Sequence, residues 1–308
     1  MMNVEKRIIK VPSSDGIHTL TGVLYLPADE VKGIFHIVHG MTEYIGRYEK
    51  FMLDLAAEGY VACGYDNLGH GQTARDDGEL GFIAERRGWE LLARDVAVFR
   101  KAVSEEIGEE HPYILMGHSM GSFIARLAAE RFTRPDRLII MGTGGKNPLS
   151  TPGIMIIDTV KFFKGGKYIS KFVDNLTFGD YNKSFADDGA PNPWLTSDIE
   201  IRKKYAADKY CTFKFTVSAM GDLVRLLKYT NSSSWYKALD CDLPVLLASG
   251  ERDPVGNFGK GVREIHDKLQ KSGHNSRLVL YSEGRHEILN DSTYPEVKRD
   301  ILDFVREP

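Results

Sequence analysis

Cysteine is scarce: three residues, Cys63, Cys211 and Cys241, in a chain of 308. Three thiols cannot build a disulfide framework, and no pair has the C-x-x-C spacing of a structural zinc site. An excess of charge of one sign is lacking too. Forty Lys and Arg against 43 Asp and Glu leave a formal charge of −3. That near-neutral balance offers no composition-level case for nucleic-acid binding. No run reaches the roughly 18 apolar residues a membrane span needs. The opening stretch MMNVEKRIIKVPSS has charges but no apolar core of about 7–15 residues before a small-residue cleavage site. These absences lead us to expect a reduced, cytoplasmic protein without a transmembrane segment. What is present is ordinary globular material. Apolar residues make up 42% and charged residues 27%, enough for a sizeable core and against general disorder. There is no internal repeat and no low-complexity tract.

Hydrophobic patterning alternates between two periods. Residues 8–11, 19–26 and 33–39 read as strands. Residues 47–58 place Phe51 and Leu55 one turn apart, with Met52 and Ala56 beside them, and Gly59 ends the helix. A short apolar strand follows at 60–65. Residues 89–103 are helical again, with Leu92, Val96, Phe99 and Val103 on one face. Then come a strand at 113–116, a helix at 119–131 and a strand at 137–141. The same rhythm returns as strand 244–249, helix 258–270, strand 277–281 and helix 294–305. Strands alternating with helices imply βαβ crossovers, hence an α/β fold with a mostly parallel central sheet flanked by helices. The pattern divides the chain into core residues 1–147, a helical insertion at 148–236 and a second core part at 237–308.

The chemistry centres on Gly117-His118-Ser119-Met120-Gly121, a G-x-S-x-G sequence between a predicted strand and a predicted helix. That is the context of a nucleophile elbow, where a tight turn leaves no room for Cβ atoms beside the serine. The bland alternative, a glycine-rich turn with an incidental serine, does not account for that context. A serine hydroxyl needs a base within hydrogen-bond reach. His286, in Gly284-Arg285-His286-Glu287, stands past the strand at 277–281, on the sheet edge where the elbow sits. His18, His111, His266 and His274 lie where solvated or structural roles suffice. His36 falls inside a strand, and His39 and His70 precede glycines in turns near the site. The imidazole in turn needs a carboxylate to set its tautomer. Asp253, in the loop after the strand at 244–249, is preferred, with Glu251 as runner-up and Asp66 third. The order Ser119, Asp253, His286 is that of an α/β-hydrolase. Preorganised donors for an oxyanion would be the backbone N–H groups of Met120 and Met41, with Gly40 letting the chain turn inward.

At these residues the chain resembles the α/β-hydrolase superfamily. Within it, the chain is similar to the monoacylglycerol lipase and lysophospholipase-like branch, which includes serine aminopeptidase-type members. The resemblance rests on His39-Gly40-Met41-Thr42-Glu43, on 66–73, on 117–121, on 249–255 and on 284–287, in family order. There are departures: Leu68 stands where Arg is frequent, and Thr73 where Ser is common. The resemblance implies carboxylic-ester hydrolysis through an acyl-enzyme on Ser119, Asp253 and His286. It implies no metal and no organic cofactor, and a small-molecule ester or lipid as substrate. It also implies that 148–236 is a cap selecting that substrate. Trp194, Met220 and Ile154 are candidate pocket walls.

The apolar helix expected at 154–163 has two readings. It could line an acyl tunnel or touch a membrane surface transiently. Packing on the core beneath it is the preferred reading. A serine aminopeptidase is the alternative activity; it would need carboxylates for the substrate ammonium, and Asp187, Asp188 and Asp222 are candidates. A non-catalytic binding protein of the same fold is a third reading. It would be expected to lose part of the triad, and all three members have candidates here.

Overall fold

Apolar runs become strands where both faces of a sheet can be covered. The computed structural model describes residues 4–178 and 181–307. Its strands are β1 (Glu5–Pro12), β2 (Thr19–Leu26), β3 (Gly33–Val38), β4 (Tyr60–Tyr65), β5 (Tyr113–His118), β6 (Arg137–Met141), β7 (Val245–Gly250) and β8 (Ser276–Tyr281). The helices are α1 (Glu49–Ala57), α2 (Gly88–Ile107), α3 (Met120–Arg131), α4 (Ser150–Lys164), α5 (Lys171–Phe178), α6 (Ile199–Ala207), α7 (Val217–Thr230), α8 (Ser233–Ala238), α9 (Lys260–Lys271) and α10 (Tyr294–Arg306).

One eight-stranded sheet runs β1-β2-β4-β3-β5-β6-β7-β8. β1 and β2 pair antiparallel, as do β2 and β4; every other pair is parallel. The alternation of side chains along each strand splits the core into two layers. Tyr113 and Leu115 join a cluster with α2, α3, α7 and α9. Ile114 and Met116 join a second cluster with α1 and α10. Strand order reverses between β3 and β5. The chain leaves β3 toward β4 on one side, and β5 adds on the other. Such a switch point opens a crevice at the carboxyl ends of the strands.

The expected elements are present, with shifts at their ends. β5 extends through His118 rather than stopping at Met116, because Gly117 and His118 pair with Ile140 and Met141. The first helix starts at Glu49, after a 3-10 turn at Ile45–Tyr48. The insertion between β6 and β7 is helical, α4 to α8, as its lack of strand rhythm suggested.

The preferred reading of 154–163, burial on the core, does not hold for most of its apolar side chains. Ile157 is 2% exposed, and Ile154 and Val160 are half-buried. Met155, Phe162 and Phe163 are 67%, 83% and 74% exposed. α4 is apolar around more of its circumference than α7 covers, so only one stripe is buried. No helix among the described residues is long and apolar enough to cross a membrane.

α3 lies against the end of β3 with almost no space between backbones. A Cβ on Gly121 would sit 2.0 Å from the Val38 carbonyl oxygen, and one on Gly117 2.1 Å from the Gly121 carbonyl oxygen. Overpacked interiors cost about 1–3 kcal/mol, and backbone obstacles yield less than side chains. Gly121→Ala should therefore lower stability by about 3 kcal/mol or more in urea unfolding, whereas a near-wild-type midpoint would refute the close approach.

Candidate active site

Ser119, Asp253 and His286 lie just past the carboxyl ends of β5, β7 and β8. Ser119 joins β5 to α3 with φ 54° and ψ −122°. Non-glycine residues rarely adopt a positive φ, and such strain persists only where the surroundings enforce it. Here the Ser119 amide donates to the Met141 carbonyl (3.0 Å), and its own carbonyl accepts from Ser122 N–H (2.9 Å). Met120 is the first residue of α3, so its N–H has no acceptor within the helix. The loop after β3 lies directly against the elbow. A Cβ on Gly40 would be 3.0 Å from the Ser119 Cβ. Met41 thus follows a residue in contact with Ser119.

His286 and Asp253 are both buried, and His286 Nδ1 lies 2.9 Å from Asp253 Oδ2. The other Asp253 oxygen accepts the Val255 amide (2.8 Å). The two rival carboxylates are engaged elsewhere. Glu251 is paired with Arg263 (2.9 Å). Asp66 accepts the amides of Ile45 (2.9 Å) and Gln72 (2.7 Å), and burial raises its pKa. The Trp194 indole packs on the His286 ring with centroids 5.0 Å apart, and the Trp194 carbonyl accepts the His286 amide (3.3 Å). Met220 is buried in the cluster that also holds Ile157 and Leu223, and Ile154 is half-buried on α4.

A charged network beneath the site was not read from the sequence. Its centre is Glu43. The carboxylate accepts the Gly40 amide (2.6 Å), the Tyr48 hydroxyl (2.9 Å) and Arg47 (3.0 Å), and faces His118 Nδ1 (3.2 Å). His118 Nε2 donates to the carbonyl of His286 (3.1 Å), and the two rings are 4.8 Å apart. Arg47 also grips Glu287, the residue after His286, at 2.6 and 2.7 Å. Burial disfavours the charge on Glu43, but the hydrogen bond and charge of His118, with Arg47, hold its pKa well below the usual value. Burial likewise opposes charge on His118, and Glu43 outweighs it, raising the imidazole. His118 is the variable position of G-x-S-x-G, and Glu43 and Arg47 sit one helical turn apart. That i, i+4 spacing of opposite charges was the available signal.

Three further histidines, His36, His39 and His70, are buried and hydrogen-bonded within the fold. His39 and His70 are buried; burial lowers both, His70 to about 3. His39 Nε2 accepts the Asn67 amide (2.9 Å). His36 lies inside β3, meets the Tyr113 hydroxyl at 2.9 Å and is lowered by burial to about 3. Among the carboxylates considered for an ammonium, Asp188 is committed to Arg202 (2.6 Å) and Arg285 (2.8 Å). Asp222 is buried against the amino end of α2. Burial pushes its pKa up to about 7, against hydrogen bonds from the amides of Trp89 and Gly88. The side chain of Asp187 lies outside the described residues. Among the described residues, Asp240, Cys241 and Asp242 bring ligand-type atoms within 4.8 Å of one another. They are exposed and precede β7, at the sheet end opposite Ser119.

The sheet order, the strained serine after β5 and the imidazole–carboxylate pair beyond β7 and β8 define an α/β-hydrolase. A thermostable carboxyl esterase from Bacillus coagulans, solved in complex with glycerol, superposes with a TM-score of 0.92 at 28% identity, over 98% of both chains. Monoglyceride lipase of Rattus norvegicus is 27% identical over 279 residues, 90% of this chain and 82% of its own. Monoacylglycerol lipase of Mycolicibacterium smegmatis is 22% identical over 312 residues, 96% of this chain and 98% of its own. The family described as "Serine aminopeptidase, S33" matches residues 29–293, and the chain belongs to it. Within that family it falls in the monoglyceride lipase-like branch, among ester hydrolases.

The rival carboxylates can be separated by activity. Asp253→Asn should lower kcat by about three to four orders of magnitude, as loss of a triad carboxylate does. Glu251→Gln should hydrolyse p-nitrophenyl butyrate at close to the wild-type rate. The reverse ranking would exchange their roles.

Proposed function

We propose that the chain hydrolyses carboxylic esters of monoacyl lipids, of monoacylglycerol or lysophospholipid type, or small esters, through an acyl-enzyme. The observation that carries this reading is the 2.9 Å His286–Asp253 pair at the strand ends where Ser119 is held in its strained turn. Ser119 Oγ attacks the ester carbonyl carbon while His286 Nε2 takes its proton. Asp253 keeps the Nδ1 proton of His286 in place and stabilises the imidazolium. The tetrahedral oxyanion rests on the Met41 and Met120 amides. His286 then gives its proton to the departing alkoxide, and the C–O bond to the alcohol breaks. Water, deprotonated by His286, attacks the acyl carbon; His286 then returns that proton to Ser119 Oγ as the acyl–Oγ bond breaks, releasing the acid. Every step uses protein groups and water, with no metal or organic cofactor.

Residues 148–236 serve as the cap over this centre, with Trp194, Met220 and Ile154 as walls of the acyl pocket. The indole against His286 supports an apolar leaving-group or acyl environment. The exposed Met155, Phe162 and Phe163 on α4, followed by Lys164, suit transient contact with a lipid surface. Peptidase activity finds less support, because Asp188 is tied up by two arginines and Asp222 is buried against α2. A binding protein without turnover would have no need of the intact set Ser119, His286 and Asp253.

A panel of monoacylglycerols, lysophospholipids, p-nitrophenyl esters and aminoacyl anilides tests the reading. The expected ranking puts a monoacyl lipid or a p-nitrophenyl ester first, with turnover abolished in Ser119→Ala. Fastest cleavage of the anilides, or turnover surviving in Ser119→Ala, would overturn it.

A further inference from the structure

The loop that presents Met41 is fastened to a helix from a distant part of the chain. Thr42 has φ 51°, a left-handed conformation that a β-branched residue rarely adopts. Its N–H reaches His70 Nε2 (3.4 Å), which is free to accept because His70 Nδ1 donates to the Leu68 carbonyl (2.9 Å). Its carbonyl accepts the hydroxyl of Tyr205 (3.0 Å). That hydroxyl oxygen is also 2.9 Å from Thr42 Oγ1. With the Tyr205 proton committed to the carbonyl, the Thr42 hydroxyl is the donor in this second bond. Tyr205 therefore holds Thr42 by both backbone and side chain.

Tyr205 lies on α6, in the insertion between β6 and β7, 163 residues along the chain. The Arg47 guanidinium lies over its ring, 4.9 Å from the centroid, and Arg47 bridges Glu43 and Glu287. A second clasp follows immediately: the Tyr44 hydroxyl donates to Asp208 (3.0 Å), and the Tyr44 and Tyr210 rings meet at 5.7 Å. Along this loop the Gly40 amide is taken by Glu43 and the Thr42 amide by His70. Among the described residues, the Met41 amide between them has no hydrogen-bond partner.

We infer that Tyr205 is a positioning residue. Its hydroxyl holds Thr42 in the left-handed turn that aims the Met41 amide at the oxyanion, so that the insertion sets the geometry of the oxyanion hole. This rests on the ester-hydrolase reading above. The Met41 N–H belongs to the Gly40–Met41 peptide, and the loop on either side of it is held by Glu43 at the Gly40 amide and by Tyr205 at the Thr42 carbonyl. Letting Thr42 relax to a negative φ would turn the neighbouring amides away from Ser119, while leaving Ser119, His286 and Asp253 untouched.

The test is Tyr205→Phe, which keeps the ring over Arg47 and removes the hydroxyl. On p-nitrophenyl butyrate, kcat should fall about 10- to 100-fold, short of the 10²–10³ for outright loss of an oxyanion donor. KM should stay within about twofold, because ground-state binding does not use the donor. The Ki of a trifluoromethyl ketone, which forms a charged tetrahedral adduct, should rise by the same factor as kcat falls. Asparagine adopts the left-handed region more readily. The same Tyr205→Phe change made in a Thr42→Asn background should therefore cost less than about threefold relative to Thr42→Asn alone. An unchanged kcat, a loss expressed in KM, or an equal loss in both backgrounds would overturn the inference. Fluorophosphonate labelling of wild type keeps the two claims separable. If Ser119 is not labelled, the ester-hydrolase reading fails. If Ser119 is labelled but Tyr205→Phe behaves as wild type, only the role of Tyr205 fails.

Discussion

The contact between α3 and the end of β3 governs the placement of the reactive groups. Gly121 approaches the Val38 carbonyl so closely that no side chain fits between them. β5 must therefore turn into α3 within one residue, and that residue, Ser119, is left at positive φ. The same approach brings the loop after β3 against the serine, where Gly40 meets the Ser119 Cβ. A single backbone-to-backbone contact thus fixes the separation of the elbow from the loop carrying Met41. Because strand order reverses at these two strands, no further crossover covers the space above them.

Buried charge then joins the loops that sheet packing leaves independent. Glu43 holds its own loop through the Gly40 amide, reaches the His286 carbonyl through His118, and reaches Glu287 through Arg47. Burying four such groups is costly unless every charge is partnered, and removing one member of a buried pair typically costs about 3–5 kcal/mol. The partners here satisfy one another at hydrogen-bond distances. The network therefore resists local loosening where the loops after β3, β5 and β8 meet. The Trp194 indole packs on the His286 ring, and the Tyr181 ring meets the indole at 5.2 Å with the planes tilted by 58°.

The sheet was legible because its strands are short apolar runs bounded by glycine and followed by helices of clear period. The placement of Ser119, Asp253 and His286 was legible for a related reason: each follows an apolar run, in the loops past β5, β7 and β8 at one end of the sheet. Glu43 and His118 were not, since a carboxylate after a strand and a histidine inside a glycine-rich turn each look ordinary alone. Only the fold brings them within 3.2 Å. α4 shows the opposite failure. Its apolar stripe suggested burial, yet Phe162 and Phe163 face outward, because hydrophobic periodicity does not reveal whether a neighbour exists. Tyr205 carried no sequence signal at all. Its partner lies 163 residues away, and the strain at Thr42 is visible only in the backbone.

The proposed chemistry requires a hydroxyl, an imidazole and two backbone amides to converge at one carbonyl. The most direct measurement is a crystal structure of the protein after reaction with a p-nitrophenyl alkylphosphonate. It should show phosphorus bonded to Ser119 Oγ and the phosphoryl oxygen within about 3.1 Å of both the Met41 and Met120 nitrogens. His286 Nε2 should face the vacated leaving-group position. A phosphoryl oxygen turned away from those amides, or phosphorus bonded to another residue, would contradict it.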